Sequence, residues 1–440
     1  MTDNTRKAAA NILFEFFKNN TPVSEAMNVF RKESSMEARD IRFVNEIVNG
    51  TLRNLDYIDY IIAAFSSIKL NKISAYILCV LRVSSYQILF MDKIPHSAAV
   101  NEAVKLAKKS NYRVAGFVNA ILRKISQEAE TVVLPADKKK YISTRYSYPE
   151  WIVDMWYDRL GDEAEQLALA MNQKPDTFLR VNTLRTSADE LAKILNNDGW
   201  KCNVYSSKDF KDIDYLICAQ KIESITSSQA YRDGLFYIQD SAACYAAHIL
   251  SPKENDTVLD MCASPGGKTT HLAQIMNNKG KVIAFDVSEN KIERIRQNAQ
   301  RLGINCIEAM VWDSTVPKPE LEGSADCILV DAPCSGLGII RKKPDIKYSR
   351  KPEDISALAK ISLDILSVSA RYLKSKGKLV FSTCTTTQEE NEGVLFEFLR
   401  LHPEFHLVPI DSEIENEGYI TLYPHRNCCD GFFISLLTKD

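Results

Sequence analysis

TVLDMCASPGGKTT, residues Thr257–Thr270, starts as an apolar run of β type, Val258-Leu259-Asp260-Met261-Cys262. It breaks at Ala263-Ser264-Pro265-Gly266-Gly267 and takes on helical character from Lys268 to Met276. A strand, a glycine turn and a helix in that order leave free backbone N–H groups at a strand end, a place to hold a nucleotide-like ligand. The turn is not a phosphate loop. G-x-x-x-x-G-K-[ST] needs a glycine five residues before Gly267, and Cys262 stands there. No G-x-G-x-x-G accompanies it either. A short turn stiffened by Pro265 suits a nucleoside-like ligand without a pyrophosphate, held by Cys262, Ala263, Ser264, Pro265, Gly266, Gly267 and Lys268.

From Gly234 onward the chain alternates strands and helices. Strands are expected at Val258–Cys262, Val282–Asp286, Cys306–Val311, Cys327–Asp331, Leu379–Cys384, Tyr419–Tyr423 and Phe432–Leu437. Helices are expected at Lys268–Met276, Glu289–Leu302, Pro352–Leu373 and Gln388–Leu399. Apolar strands separated by helices imply a mostly parallel sheet covered on both faces, with the last two strands as an antiparallel edge hairpin. Asp286 ends the second strand, where an acid accepts hydrogen bonds from ribose hydroxyls. Asp313 follows the third, placed to meet an adenine amino group. Either acid at a strand end can instead serve as a helix cap, and Ser288 is a ready N-cap beside Asp286. Ribose, adenine and no phosphate together fit S-adenosylmethionine (SAM).

The fourth strand ends in Asp331-Ala332-Pro333-Cys334-Ser335-Gly336 and the fifth in Ser382-Thr383-Cys384. Both tips lie at the carboxyl edge of the sheet, where ligands sit in open α/β folds. Cys79, Cys244 and Cys327 read as small buried hydrophobes. Two cysteines beside a SAM site suggest more. Methylating cytosine at C5 needs a thiolate: its addition to C6 saturates the 5,6 bond and makes C5 enamine-like. The proton on C5 then leaves and the thiol is eliminated. Nearby positive charge raises the thiolate fraction. The eleven cysteines are scattered, without CxxC spacing, and only Cys428-Cys429 are close. With no apolar leader in Met1–Ala10 and no run approaching the roughly 20 apolar residues of a membrane span, a reducing cytoplasm is expected.

The front of the chain is different. Apolar residues recur at helical spacing at Ala9, Ile12, Leu13, Phe16 and Phe17, then at Ile41, Val44, Val48 and Leu52. They do so again at Ile58, Ile61, Ile62 and Phe65, and at Val114, Phe117, Val118, Ile121, Leu122 and Ile125. A helical bundle with its own core follows. Net charge is −2, but Met1–Lys140 holds 21 Lys/Arg against 14 Asp/Glu, leaving 34 against 43 for the remainder. A basic front suits a polyanion. Arg6, Lys7, Arg39, Arg42, Arg53, Lys105, Lys108, Lys109, Arg113, Arg123 and Lys124 are its candidate phosphate contacts, or simply solvated faces. Gln127–Tyr141 is polar and reads as a linker. After it come Tyr146–Trp151, a helix to Met171, a strand at Phe178–Thr183, a helix at Ala188–Asn197 and a strand at Lys201–Tyr205. The interleaved Tyr, Trp and Arg side chains of this small α/β module either stack on unpaired bases or pack as core.

His96-Ser97-Ala98-Ala99-Val100-Asn101-Glu102-Ala103-Val104 and Gly116-Phe117-Val118-Asn119-Ala120-Ile121-Leu122-Arg123 resemble the NusB-type RNA-binding helical domain. The rear motifs resemble the RNA cytosine-C5 methyltransferase family, and the whole chain its RsmB (Fmu/Sun) branch. Asp260–Thr270 is similar to the family's SAM-binding turn, with Ser264 in place of a common alanine. Asp331–Gly336 is similar to its motif IV and Ser382–Cys384 to its motif VI. Gly234-Leu235-Phe236-Tyr237-Ile238-Gln239-Asp240 resembles the entry to the catalytic domain, and Asp430-Gly431-Phe432-Phe433 its closing strand.

The resemblance implies a NusB-like all-α domain over 1–130, a linker over 131–143 and a small α/β RNA-binding domain over 144–233. A Rossmann-like class I SAM methyltransferase domain with a mostly parallel seven-stranded sheet would fill 234–440. It implies Cys384 as nucleophile, Cys334 as helper in product release and Asp331 as partner of the cytosine edge and of SAM. Lys268 would orient the site or lower a thiol pKa, or would simply be a solvated residue of the helix's first turn. The implied substrate is 16S rRNA, at cytosine 967 in standard bacterial numbering. A monomer with no metal and no membrane contact is expected. The alternative is a non-catalytic RNA-binding factor with a degenerate SAM fold, and the intact pair Cys334 and Cys384 argues against it.

Overall fold

A computed structural model describes residues 2–220 and 225–440. They form two compact units, Met1–Gln173 with Ile340–Arg350 and Lys174–Ile339 with Lys351–Asp440.

The first unit is helical. Its helices are Thr2–Asn19, Val23–Glu33, Ala38–Arg53, Leu55–Phe65, Ala75–Phe90, His96–Ser110 and Ala115–Glu128, followed by Lys138–Tyr146, Glu150–Leu160 and Glu163–Asn172. The apolar stripes meet in one core: Leu13, Val44, Val48, Ile58, Ile62 and Leu122 are fully buried in it. Each such side chain contributes about 1.5–3 kcal/mol of transfer free energy.

The polar stretch expected as a linker carries a helix of its own. Asp137 accepts from the Lys140 backbone N–H at 2.9 Å and starts Lys138–Tyr146. Gly161 at φ +56° ends the next helix, so the single helix expected up to Met171 is two. The aromatics here turn inward: Tyr148 and Trp156 are buried edge to face at 4.8 Å, which leaves neither free to stack on a base. Arg6 is buried as well, with its Nε donating to Gln87 Oε1 at 2.7 Å, and Arg53 donates to the Arg341 carbonyl. Neither is a surface phosphate contact. Lys7, Arg39, Arg42, Lys105, Lys108, Lys109, Arg113, Arg123 and Lys124 are exposed.

Ile340–Arg350, which follows the Cys334 loop in sequence, is built into this helical unit. Lys347 is buried there. Its Nζ donates to the carbonyls of Arg53 (2.9 Å) and Ser147 (2.6 Å) and lies 4.1 Å from the Tyr148 ring centroid.

The second unit opens with β1 (Thr177–Val181), β2 (Lys201–Val204), β3 (Leu216–Gln220) and β4 (Phe236–Ile238). These form an antiparallel sheet in the order β2-β3-β1-β4. The helix Ala188–Asn197, started by a capping box between Ser187 and Glu190, packs Leu191 and Leu195 against Leu179 and Ile217.

The larger sheet contains β5 (Thr257–Asp260), β6 (Lys281–Asp286), β7 (Ile307–Val311), β8 (Ala325–Asp331) and β9 (Leu373–Thr383), then β10 (Phe405–Leu407), β11 (Tyr419–Leu422) and β12 (Phe432–Lys439). Its order is β10-β12-β9-β8-β5-β6-β7, with β11 paired to β12. The seven expected strands are all present, and the short edge strand β10 adds an eighth. Strands β9-β8-β5-β6-β7 run parallel; β12 is antiparallel to β9, β10 and β11. Val258, Val282 and Leu329 bury on one face with Leu272 and Met276, while Leu259, Phe285 and Val330 bury on the other with Ile365 and Phe398. The chain leaves β5 toward β6 on one side and returns to β8 on the other. The carboxyl ends of β5 and β8 therefore flank the switch point where such sheets bind ligands.

Candidate active site

The turn after β5 is pinned from several sides. Met261 N–H donates to the Leu329 carbonyl at 3.0 Å and Ala263 N–H to that of Phe285 at 2.9 Å. Gly266 N–H closes onto the Ala263 carbonyl at 2.7 Å. Asn298 Nδ2 holds the carbonyl of exposed Pro265 at 2.9 Å, and Thr270 Oγ1 donates to that of Gly266 at 2.7 Å. From β1, fully buried Arg180 donates to Gln239, to the Gly267 carbonyl and, at 2.8 Å, to Thr270 Oγ1. Burial lowers its pKa to about 10, which leaves it charged at neutral pH.

Gly266 caps the helix Gly267–Ile275 at φ +96°, and a Cβ there would sit 3.2 Å from Ile295 Cα. A left-handed conformation costs an L-residue about 1–2 kcal/mol before any contact. Gly266→Ala should therefore melt several degrees lower and bind SAM at least about tenfold more weakly. Differential scanning fluorimetry and calorimetric titration check the two halves.

Beside the turn lies a cleft of about 260 Å³, lined by Met261, Cys262, Ser264, Asp286, Val287, Lys291, Trp312, Asp313, Ser314, Thr315, Asp331, Pro333, Ile361 and Ile365. Five of the expected ligand residues, Cys262, Ser264, Asp286, Asp313 and Asp331, meet there. Asp286 Oδ2 accepts from Ser264 N–H at 3.0 Å, and its Oδ1 accepts from Val287 N–H and Lys291 Nζ, both at 2.8 Å. Asp313 Oδ1 accepts from Thr315 N–H (3.0 Å) and Oγ1 (2.7 Å), and these bonds hold its pKa below the usual carboxylate value. Ser288 occupies the N-cap position, but its side chain makes no cap bond. Ala263, Pro265, Gly266 and Gly267 shape the turn rather than line the cleft.

Asp260, below the turn, accepts from Thr269 Oγ1 at 2.7 Å. Burial raises its pKa from 3.8 to about 7, with the Thr269 bond opposing and Asp331 adding to the rise. The folded protein thus binds a proton that the unfolded chain releases between these values, so this group's contribution to stability is lost as pH rises from about 4 to about 7. The urea midpoint of the apoprotein should fall over that range, and Asp260→Asn should flatten the slope.

Asp331 ends β8. Its Oδ2 accepts from Lys268 Nζ at 2.7 Å and its Oδ1 from Ser382 Oγ at 2.9 Å. Burial works against the Lys268 charge. The Asp331 carboxylate and, with smaller effect, the Cys384 sulfur outweigh it and hold the ammonium above its ordinary pKa. Cys334 and Cys384 face each other across the two strand tips, with Sγ atoms 3.4 Å apart. The Cys334 thiol is pushed well up, first by its contact with Cys384 and then by burial.

Trp312, Lys291 and Ser382 join the site without having been singled out in the sequence. Trp312 and Lys291 follow strand ends already marked by Asp313 and Asp286, and Ser382 sits inside the quoted Ser382-Thr383-Cys384. Glu390 was also missed: helix Glu392–Leu401 begins later than expected because Glu390 and Asn391 turn inward, fully buried. Cys79, Cys244 and Cys327 are buried as small hydrophobes. Among the described residues, no helix is long and apolar enough to cross a membrane, and no group of three His, Cys, Asp or Glu side chains is placed to hold a metal.

Comparison with known proteins bears on this geometry. The family described as 16S rRNA methyltransferase RsmB/F matches residues 247–438, the NusB family matches 3–127, and an RsmF/B-like ferredoxin-like domain matches 148–209. The chain is 35% identical to the probable ribosomal RNA small subunit methyltransferase B of Bacillus subtilis (strain 168), over 93% of this chain and 92% of that one. A crystal structure described as PH0851 superposes with a TM-score of 0.82 at 29% identity, covering 99% of each chain. Another, described as NSun6 from Pyrococcus horikoshii with SFG, has a TM-score of 0.57 at 25% identity and covers 67% of this chain and 98% of that one.

Proposed function

The chain belongs to the ribosomal RNA small subunit methyltransferase B family, and from that premise we propose that it methylates C5 of a cytosine in 16S rRNA, cytosine 967, with SAM as methyl donor. It acts in the cytoplasm as a monomer. The observation that carries this reading is the pair of sulfurs 3.4 Å apart at the tips of β8 and β9, beside an acidic cleft.

The cleft fits the donor by its chemistry. Asp286, Asp313 and Asp331 outnumber Lys291, which is itself paired to Asp286. Such a lining favours a cationic ligand without phosphates. Trp312, Pro333 and Ile365 supply apolar wall for a planar base. The residues that would hold SAM are those of the turn, with Asp286 toward the ribose and Asp313 toward the adenine. When bound, SAM supplies an electrophilic methyl carbon on a sulfonium.

In this reading Cys334, pushed well up by its contact with Cys384 and by burial, is the thiol of the pair. Cys384 is then the thiolate, favoured by the nearby Lys268 ammonium, and its lone pair adds to C6 of the cytosine. Asp331 orients the base edge. After methylation the proton on C5 leaves to water, its electron pair re-forms the C5–C6 double bond, and the C6–S pair returns to Cys384. The Cys334 S–H stabilises that departing sulfur. A base in a duplex cannot reach such a site, so the target is splayed from its stack. The exposed basic residues of the helical unit supply phosphate contacts.

Tritium release from 16S rRNA labelled at cytosine C5 tests the reaction, and bisulfite sequencing of the product locates it. RNA binding without tritium release would favour a non-catalytic RNA-binding factor instead.

A further inference from the structure

The loops that carry the two cysteines are joined one residue beyond each sulfur. Ser335 follows Cys334, Thr385 follows Cys384, and their hydroxyl oxygens are 2.8 Å apart. Both belong to a cluster around the Glu390 carboxylate, which has no exposed surface. Its Oε1 accepts from Ser335 N–H at 2.6 Å; its Oε2 accepts from Ser335 Oγ at 2.6 Å and from Thr387 Oγ1 at 2.7 Å. Asn391 completes the clamp: Nδ2 donates to the Thr385 carbonyl at 3.1 Å, and Oδ1 accepts from Thr383 Oγ1 at 2.5 Å.

No basic side chain pairs with Glu390 among the described residues. A carboxylate buried without a cation is costly unless its acceptor sites are filled, and charge-assisted bonds of this kind are roughly twice as strong as neutral ones. The cluster is therefore stiff, and it grips both loops at the residues that fix the sulfur positions.

The grip matters unequally for the two sulfurs. Cys384 directly follows β9, which is paired to β12 through Thr383 and Phe433 and to β8 through Ser382 and Asp331. Its carbonyl also accepts from Gly338 N–H at 3.0 Å. Cys334 lies beyond the end of β8, and the next residue, Ser335, is held through Glu390. Loosening the cluster would move the Cys334 sulfur more than the Cys384 sulfur.

We infer that Glu390 is a positioning residue that sets the Cys334–Cys384 spacing and thereby governs release of the methylated RNA rather than attack on it. This rests on the roles proposed above for the two cysteines. A displacement of about 1 Å can cost roughly 100-fold in rate. On full-length protein with unmethylated 16S rRNA and SAM, Glu390→Gln and Thr385→Val should each turn over about 10- to 100-fold more slowly. Both should accumulate a covalent protein–RNA adduct on denaturing gels although Cys334 is present. SAM affinity should stay within about twofold, because none of these residues lines the cleft. Thr385→Ser, which keeps the hydroxyl, should turn over at the parent rate without adduct.

A merely structural role would lower turnover without trapping RNA. Slow turnover with no adduct, or unchanged turnover, overturns the inference. If Glu390→Gln fails to fold, the Thr385→Val and Thr385→Ser pair decides alone. Cys334→Ala is the control: no adduct there defeats the underlying reading, whereas an adduct there with none in Glu390→Gln and Thr385→Val defeats only this inference.

Discussion

Cys384→Ala should lose methyl transfer. C5 of cytosine is a weak nucleophile within an aromatic ring, and what changes that is addition at C6. Alanine offers no atom to add. Turnover should therefore fall by more than about 10⁴-fold, the scale on which removing a covalent nucleophile acts. Serine should not rescue it, since an alkoxide is far harder to form at neutral pH than a thiolate. The Lys268 ammonium, held 2.7 Å from Asp331, favours a negative sulfur but contributes little to deprotonating a hydroxyl.

The loss should be confined to chemistry. Cys384 does not line the cleft, so SAM binding should be unchanged. The exposed basic residues of the helical unit are untouched, so RNA binding should persist. The comparison is tritium release and methyl incorporation by parent and variant, alongside melting temperature and calorimetric SAM titration. A variant that keeps its turnover within tenfold of the parent would show that the sulfur at the tip of β9 is not the nucleophile.

The parts of this molecule that were legible in the sequence are those where one local pattern has one physical solution. Val258–Cys262 followed by Gly266-Gly267 can hardly be other than a strand, a turn and a helix, and Glu289–Leu302 was read to the residue because its apolar side chains recur only at helical spacing. Asp286, Asp313, Asp331, Cys334 and Cys384 were legible as a group because strand ends in a parallel sheet converge.

What was not legible depends on contacts between distant residues. Nothing near Glu390 in sequence says that its carboxylate is buried against Ser335, 55 positions earlier. Its neighbours Gln388 and Glu389 read as the start of a helix. Lys138-Lys139-Lys140 looked like a solvated linker, because a charge run says nothing of the Asp137 cap that starts a helix there. The Arg residues of the small α/β module were open to base stacking or to packing, and Arg180 lies beneath the Gly267 turn, where the carbonyl it serves is 87 residues away in the chain. Ile340–Arg350 fell inside the 234–440 span expected for the catalytic domain, yet it belongs to the helical unit, where Lys347 is buried.

Cys334→Ala should separate attack from release. The variant keeps the Cys384 sulfur, the Lys268–Asp331 pair and the cleft, so addition to C6 and methylation should still proceed once. What it lacks is the S–H that faces the departing sulfur at 3.4 Å. Elimination should slow, and the enzyme should accumulate joined to its product. Turnover should fall by about 10²-fold or more, the range of a lost proton donor or acceptor. With 16S rRNA in excess, the adduct should approach one RNA per protein and survive denaturing electrophoresis.

The removed thiol also bears on which sulfur is charged. Cys334 is pushed well up first by its hydrogen-bond contact with Cys384, and in the proposed mechanism Cys334 is the donor. Alanine takes that hydrogen bond away, so the Cys384 thiolate should be harder to form and the pH at which adduct formation is half-maximal should rise in the variant. A rate of adduct formation measured from pH 6 to 9 tests this without any need for turnover. If Cys334→Ala forms no adduct and Cys384→Ala does, the two roles are reversed. A SAM-dependent adduct in Cys334→Ala that is absent from the double variant would fix the order of events as addition by Cys384, methylation, then release through Cys334.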